Sequence, residues 1–388
     1  MASRSDDRSF PNPFENRENF EKFSVNEYEF NEDIAKLKQR LLEIVLKKGA
    51  SSSDHEDISV YTGISGVALL LVKLGHQNQA KEILESAIRR GERKPRVTFL
   101  CGIAGPLALL CAITKSESHL QQLLGLLPLL SSKDMPDELL YGRAGYLYAL
   151  LHVKKSLPEE HEALEAAIKT VCDMIVKSGQ TGSKRFKTRS PLMYEWHEKQ
   201  YYGAAHGLVG ILFMLLQAGD KYLSSDVLEN LVRPSVDYLK SSMFPSGNLP
   251  SSRGSEQDKL IHWCHGAPGV VHLFLMAHQV YKSQAYLEAA KRCGDIIWRR
   301  GMLKKGYGLC HGTCGNAYAF VALYQSTNDD TYLKKARVFT QFVLEFGKHG
   351  CRTPDRPYSL FEGMCGTIHF LDDMQRNPEE AKFPCFYV

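Results

Sequence analysis

"GLCHGTCGNAYAF", residues 308–320, sets a cysteine and a histidine directly ahead of a Gly-x-x-Gly pair, and the pair opens an apolar run. "HWCHGAPGVVHLF", residues 262–274, does nearly the same. Working outward, the pair recurs as "TGISG" (Gly63, Gly66), "CGIAG" (Gly102, Gly105), "YGRAG" (Gly142, Gly145) and "HGLVG" (Gly207, Gly210). It ends as "HGAPG" (Gly266, Gly269), "HGTCG" (Gly312, Gly315) and "EGMCG" (Gly363, Gly366). The first glycines of these seven copies lie 39, 40, 65, 59, 46 and 51 residues apart.

Each pair opens an apolar segment of helical length, such as "GVALLLVKL" or "GILFMLLQA". Between copies lies an amphipathic stretch, such as "DIAKLKQRLLEIVLKK" or "AYLEAAKRCGDIIW". There apolar residues recur at i, i+3, i+4 and i+7, as one buried helical face requires. A helix that is apolar on most sides must be buried, and an amphipathic one can cover it and face water. The expectation is an all-α fold, a double α/α toroid of about fourteen helices, seven inner and seven outer. Unequal spacing and the absence of polar capping repeats favour a closed ring over an open solenoid. Glycines three apart share a helix face, so neighbouring helices are expected to approach closely there. Residues 1–30 read as an extended N-terminal arm and residues 31–388 as a single toroid domain. The polar stretches 177–190 and 244–259 read as surface loops.

The composition is ordinary for a globular chain: 388 residues, 44% hydrophobic, 24% charged. No apolar run reaches the roughly 18 residues of a membrane span, and the N-terminus shows no signal region. The expected location is cytoplasmic, with nuclear or peripheral membrane residence also open. The net charge of +4 is spread thinly, which gives no case for nucleic acid and is compatible with a small anionic ligand. Ten cysteines are too sparse for a disulfide scaffold. Cys101, Cys111, Cys172 and Cys293 read as buried thiols in apolar helical patterns.

Cys264 and Cys310 differ, because each has an adjacent histidine and glycine. If the glycine turns converge, Cys264, Cys310 and His311 can meet. Two thiolates and an imidazole suit zinc and leave a fourth position open. The plainer reading is packed thiols and surface histidines, and spacing alone leaves both standing. His206, Cys101, Tyr141, His265, His311 and Glu362 share one place, directly before the first glycine, and should line one mouth. A neutral histidine there could move a proton; it could equally be a structural hydrogen-bonding group. Lys304, Lys305 and Arg352 crowd the last two turns and could hold carboxylates.

The set "YTGISG", "FLCGIAGPLA", "LLYGRAGYLYALL", "SPLMYEWHEKQYYGAAHG", "HWCHGAPGV", "LKKGYGLCHG" and "RTPDRPYSLFEGM" resembles the eukaryotic LanC-like proteins, relatives of the bacterial lanthionine cyclases. The match runs from "FPNPF" near the N-terminus to "FPCF" near the end. The resemblance implies the α/α toroid and one zinc ion held by Cys264, Cys310 and His311. It implies glutathione binding through Lys305, Arg352, Thr353, Pro354 and Asp355, with Arg8 reaching the same pocket, and proton transfer by His206. It also implies a zinc-dependent enzyme that adds the glutathione thiol to dehydroalanine or dehydrobutyrine in proteins or peptides. Cys314 and Cys365 depart from the family, where alanine is common; they read as small packing residues. A second reading is a non-enzymatic, glutathione-binding adaptor that senses thiol status for a signalling partner. Glycoside hydrolysis would need paired carboxylates at the mouth, where only Glu362 is acidic.

Overall fold

The computed structural model describes residues 8–48, 56–91, 96–157 and 159–388. The chain opens with α1 (Arg17–Lys22) and α2 (Glu27–Lys48), and then alternates inner and outer helices. The first pairs are α3 (Ile64–Lys73) with α4 (Gln77–Gly91), α5 (Ala104–Thr114) with α6 (Glu117–Leu124), and α7 (Arg143–Ser156) with α8 (Glu162–Phe186). Next comes α9 (Leu208–Ala218) with the broken outer helix α10 (Ser225–Val227) and α11 (Arg233–Ser241). The last are α12 (Ala267–Tyr281) with α13 (Gln284–Arg300), α14 (Thr313–Thr327) with α15 (Asp330–Leu344), and α16 (Met364–Arg376). Seven inner helices pack side by side, and α16 returns against α3 to close the ring. The expected toroid of seven inner and seven outer helices is therefore present among the described residues, with α1 as an extra.

Polarity decides the layer. In α9 every residue but Gln217 is buried, whereas α4 buries only Ala80, Leu84, Ala87, Ile88 and the terminal Gly91. Each Leu, Ile, Phe or Met of α9 contributes roughly 1.5–3 kcal/mol by leaving water, so a charge at Leu212 would cost the fold several times that of one at Lys81. Between α10 and α11, a π-turn over Leu228–Val232 absorbs Pro234, which has no N–H to donate.

Two expectations change. The N-terminal arm is not extended throughout: it carries α1, and α2 begins at Glu27, inside the range assigned to the arm. Residues 177–186 continue α8 instead of forming a loop. Their glycines are packing devices: a Cβ on Gly179 would stand 2.4 Å from the Tyr194 hydroxyl, and one on Gly182 would stand 2.1 Å from the Met193 carbonyl. The repeated pairs have a second role beside the expected one. A Cβ on Gly66, Gly105, Gly145, Gly210, Gly269, Gly315 or Gly366 would stand 1.8–2.3 Å from the carbonyl oxygen six residues earlier in its own loop. The glycines let each loop fold back onto the start of its helix, and the expected close approach to the neighbouring repeat is present as well: a Cβ on Gly105 would stand 2.7 Å from Val60 Cγ2, and one on Gly366 would stand 2.7 Å from Leu309 Cγ.

These folded-back loops gather at one end of the ring and are stitched to one another. In five of the seven turns the residue two before the first glycine donates its N–H to the carbonyl at the same place in the next turn, and in the third turn Leu139 bonds Ala205 instead. Tyr61 bonds Leu100 (2.9 Å), Ala205 bonds Cys264 (3.5 Å), Cys264 bonds Cys310 (3.3 Å), Cys310 bonds Phe361 (2.8 Å) and Phe361 returns to Tyr61 (3.1 Å). A buried ionic clasp reinforces the closure. Asp372 accepts from Lys38 of α2 at 2.5 Å, and Asp373 accepts from Lys73 of α3 at 2.5 Å and from the Tyr318 hydroxyl at 2.6 Å. The bore behind the loops is filled by Phe383 and Phe386, with Phe383 stacked on Trp263 at 5.0 Å.

Candidate functional site

Cys264 and Cys310 occupy one register in adjacent turns, two residues before their glycines, so the backbone bond between them sets their side chains together. The two sulfurs and a His311 ring nitrogen all lie within 4.8 Å of one another. Both cysteines are buried and neither is in a disulfide. Burial, and then the adjacent Cys264, push the Cys310 thiol well above its ordinary range. Burial works against a charged His311, but the Cys310 sulfur outweighs it and raises the imidazole above its usual value. A buried thiol such as Cys310 becomes a thiolate readily only beside a cation. Two thiolates, one imidazole and an open side fit zinc. The Tyr61 hydroxyl donates to Cys310 Sγ at 2.6 Å while its ring stacks on Phe361 at 4.5 Å. Cys314 and Cys365 are fully buried in the first turns of α14 and α16, outside the cluster, as packing residues. Cys101 is not helical: it lies in a mouth loop, partly exposed.

The residues directly before the first glycines line the mouth as expected. Cys101, Tyr141, His206, His265, His311 and Glu362 are all partly exposed there. His206 lies beside His265, with ring centroids 6.2 Å apart, and so next to the Cys264 turn. His206 Nδ1 donates to Glu138 Oε2 at 2.8 Å. Glu138 is 2% exposed and also accepts from the backbone N–H groups of Leu140 (2.9 Å) and Tyr141 (2.5 Å). This fixes the carboxylate, which fixes the imidazole and leaves Nε2 toward the mouth. Trp196 stacks over His206 at 6.2 Å and over Tyr141 at 5.6 Å. It is held by a two-residue turn in which His197 and Glu198 adopt φ of 45° and 59°, a left-handed conformation that costs non-glycine residues energy. Burial, with His206 and His262 adding to it, pushes His265 down to about 4, so its ring is neutral at neutral pH.

The basic residues converge on three adjacent backbone segments. Lys304 N–H bonds the Arg8 carbonyl at 3.0 Å, and Arg352 N–H bonds the Lys304 carbonyl at 2.8 Å. Lys305 is exposed next to this junction and near enough to His311 and His265 to act on both electrostatically. Arg352, Thr353 and Pro354 line a cavity of about 140 Å³ with Glu362 and Gly306. Asp355 is outside it, exposed, and accepts from Arg352 at 2.9 Å.

Glu138, Tyr61 and Trp196 went unassigned in the sequence. Tyr61 had a signal, since it holds the Cys264 and Cys310 register in the first turn. Glu138, four residues before Gly142, had none that set it apart from other acidic residues in loops.

Residues 54–388 match the family model described as "Lanthionine synthetase C-like protein". The chain belongs to the lanthionine synthetase C-like family. This LanC-like chain is 46% identical over 361 residues to the protein named glutathione S-transferase LANCL1 of Danio rerio, covering 89% of this chain and 88% of that one. It also superposes on nisin cyclase with a TM-score of 0.67, covering 88% and 94% of the two chains. At 15% identity that likeness speaks to the toroid alone. No helix among the described residues is long and apolar enough to cross a membrane.

Proposed function

We propose that this protein is a zinc-dependent transferase that adds the thiol of glutathione to dehydroalanine or dehydrobutyrine residues in proteins or peptides. The observation that carries the reading is the meeting of Cys264, Cys310 and His311 within 4.8 Å, beside a histidine held by a buried glutamate. The relative's name, a glutathione S-transferase, supports the donor.

A thiol is a weak nucleophile while protonated, and zinc bound by Cys264, Cys310 and His311 would supply the positive charge that lowers its pKa. Lys305 and Arg352 would hold the glutathione carboxylates, with Thr353 and Pro354 beside them and Arg8 on the adjoining segment. The sulfur forms a bond to the β-carbon of the acceptor, and the electron pair of the Cα=Cβ double bond moves toward the neighbouring carbonyl. His206 Nε2 takes up the proton that the thiol gives up, with Glu138 supporting the charged ring, and delivers it to the α-carbon, so the proton is balanced and nothing is oxidised or reduced. Glu138 is a positioning residue for that imidazole, and the Trp196 and Tyr141 rings wall the acceptor side.

Mass spectrometry of a dehydrobutyrine-containing peptide incubated with glutathione and zinc-loaded protein tests the reading. The expected product is one glutathione heavier and forms over many turnovers. Stoichiometric glutathione binding without an adduct would replace the transferase with a glutathione-binding adaptor.

A further inference from the structure

On the face opposite the metal cluster, where the inner helices end, lies a cavity of about 940 Å³. It is lined by Lys154, Lys155, Lys221, Lys282 and Lys382, and no aspartate or glutamate lines it. The whole chain carries a net charge of only +4, so five lysines around one cavity are a strong local excess. Lysines do favour helix C-termini, where the backbone dipole is negative. That accounts for Lys154 and Lys155 in the last turn of α7, but Lys221 and Lys382 lie outside any helix and Lys282 follows the end of α12.

Neighbouring acids do not cancel the excess. Lys154 and Lys221 meet Glu165 at 3.6 and 3.0 Å, and Lys221 also meets Glu160 at 2.7 Å. Lys155, Lys282 and Lys382 form no ion pair among the described residues. Lys155 is held below the ordinary lysine range by burial and then by the like charge of Lys382, so the two cations repel across the cavity. Such a field lowers the cost of bringing in an anion and raises its local concentration.

We propose that this cavity is a second binding site, for a small polyanion carrying two or more phosphate groups. A single carboxylate can neutralise one lysine. A phosphate monoester carries about −1.5 to −2 at neutral pH, so two of them match the charge of Lys155, Lys282 and Lys382. The same chemistry comes either as a free polyphosphorylated metabolite or as the headgroup of a phosphorylated lipid at a membrane surface. The site is independent of the transferase reading, since it shares no residue with the metal cluster.

The test uses the full chain, wild type and a K155E/K382E double variant; both positions are exposed, so the fold is preserved. Inositol hexakisphosphate binding is measured by calorimetry. Vesicles of phosphatidylcholine, with and without a phosphoinositide bisphosphate, are measured by co-sedimentation. Binding of the soluble probe that falls by about tenfold or more in the double variant, and weakens as salt rises, supports a free polyphosphate. Loss confined to the vesicle arm supports a lipid headgroup. No binding in either arm, equal binding by the two proteins, or displacement by glutathione overturns the proposal.

Discussion

Replacing Glu138 by glutamine keeps the size of the side chain and removes its charge. The native carboxylate serves three donors: Oε2 accepts from His206 Nδ1 and Leu140 N–H, and Oε1 accepts from Tyr141 N–H. A glutamine has one oxygen and one NH2, and neither orientation serves all three. With its oxygen at the Oε2 place, the NH2 faces the Tyr141 N–H, donor against donor. With its oxygen at the Oε1 place, Leu140 N–H loses its acceptor and the NH2 faces His206, which must then accept on Nδ1 and carry its proton on Nε2. A buried donor left unmade costs about 1–3 kcal/mol, so the variant folds but is destabilised. The larger effect falls on proton transfer. A positioned acid or base contributes about 10²–10⁴-fold, and a His206 that has lost the carboxylate supporting its charged form, or that already carries its proton on Nε2 and cannot take the thiol's, loses much of that, so the expected fall in kcat is about 10²-fold or more. Glutathione affinity and zinc content should not change. The assay is adduct formation, with zinc by elemental analysis and the His206 tautomer by nitrogen NMR. A kcat within about threefold of wild type with a changed tautomer would refute His206 as the proton carrier. An unchanged tautomer together with an unchanged kcat would refute Glu138 as its positioning residue.

Cys310→Ala should abolish zinc binding and activity together, and zinc retained at full stoichiometry would remove Cys310 from the ligand set. Lys305→Ala should weaken glutathione roughly tenfold with little change in kcat, the loss of one charge-assisted contact; unchanged affinity would exclude it from the pocket. Stability should fall in acid through the ring-closing clasp. Burial alone would raise Asp373, but the hydrogen bond and charge of His369, with Lys73, outweigh it and hold the carboxyl down to about 2. Its folded value lies below its unfolded one, so its contribution, about 2 kcal/mol, is full above about pH 4 and is lost as pH falls toward 2. Asp373→Asn should remove that part of the acid dependence of the melting temperature; an unchanged dependence would show the clasp to be neutral.

The toroid was legible because each layer writes its own pattern: helices apolar all round for the inner layer, and one-faced helices for the outer. The mouth was legible because a fixed offset from each glycine survives uneven spacing, which is how His206, His311 and Glu362 read as neighbours. Three things were hidden for physical reasons. Local polarity made 177–186 read as a loop, whereas Gly179 and Gly182 are there to let Tyr194 and Met193 pack against α8. The glycine pairs gave their positions but not their partners, because a close contact with a carbonyl six residues back leaves no periodic trace. Glu138 was hidden because its role depends on a histidine 68 residues away.

The backbone ring explains why this fold can gather three donor groups from two short motifs. In five of the seven turns the donor is the residue two before the glycine, and in all seven that position holds its side chain against the neighbouring turns. In most turns the inward residue is apolar, as with Leu100, Leu140, Ala205 and Phe361. Cysteine at two consecutive places changes the chemistry without changing the register, because the ladder uses only backbone atoms. The third donor of the cluster comes from the next position along, His311, which already faces the mouth. The geometry of the cluster and ring closure are therefore coupled: Cys310 is bonded through its N–H to Phe361, and Phe361 through its N–H to Tyr61, whose hydroxyl returns to the Cys310 sulfur. Pulling the last turn away from the first would move a ligand and its hydrogen-bond donor apart, so zinc affinity should report on closure of the whole ring.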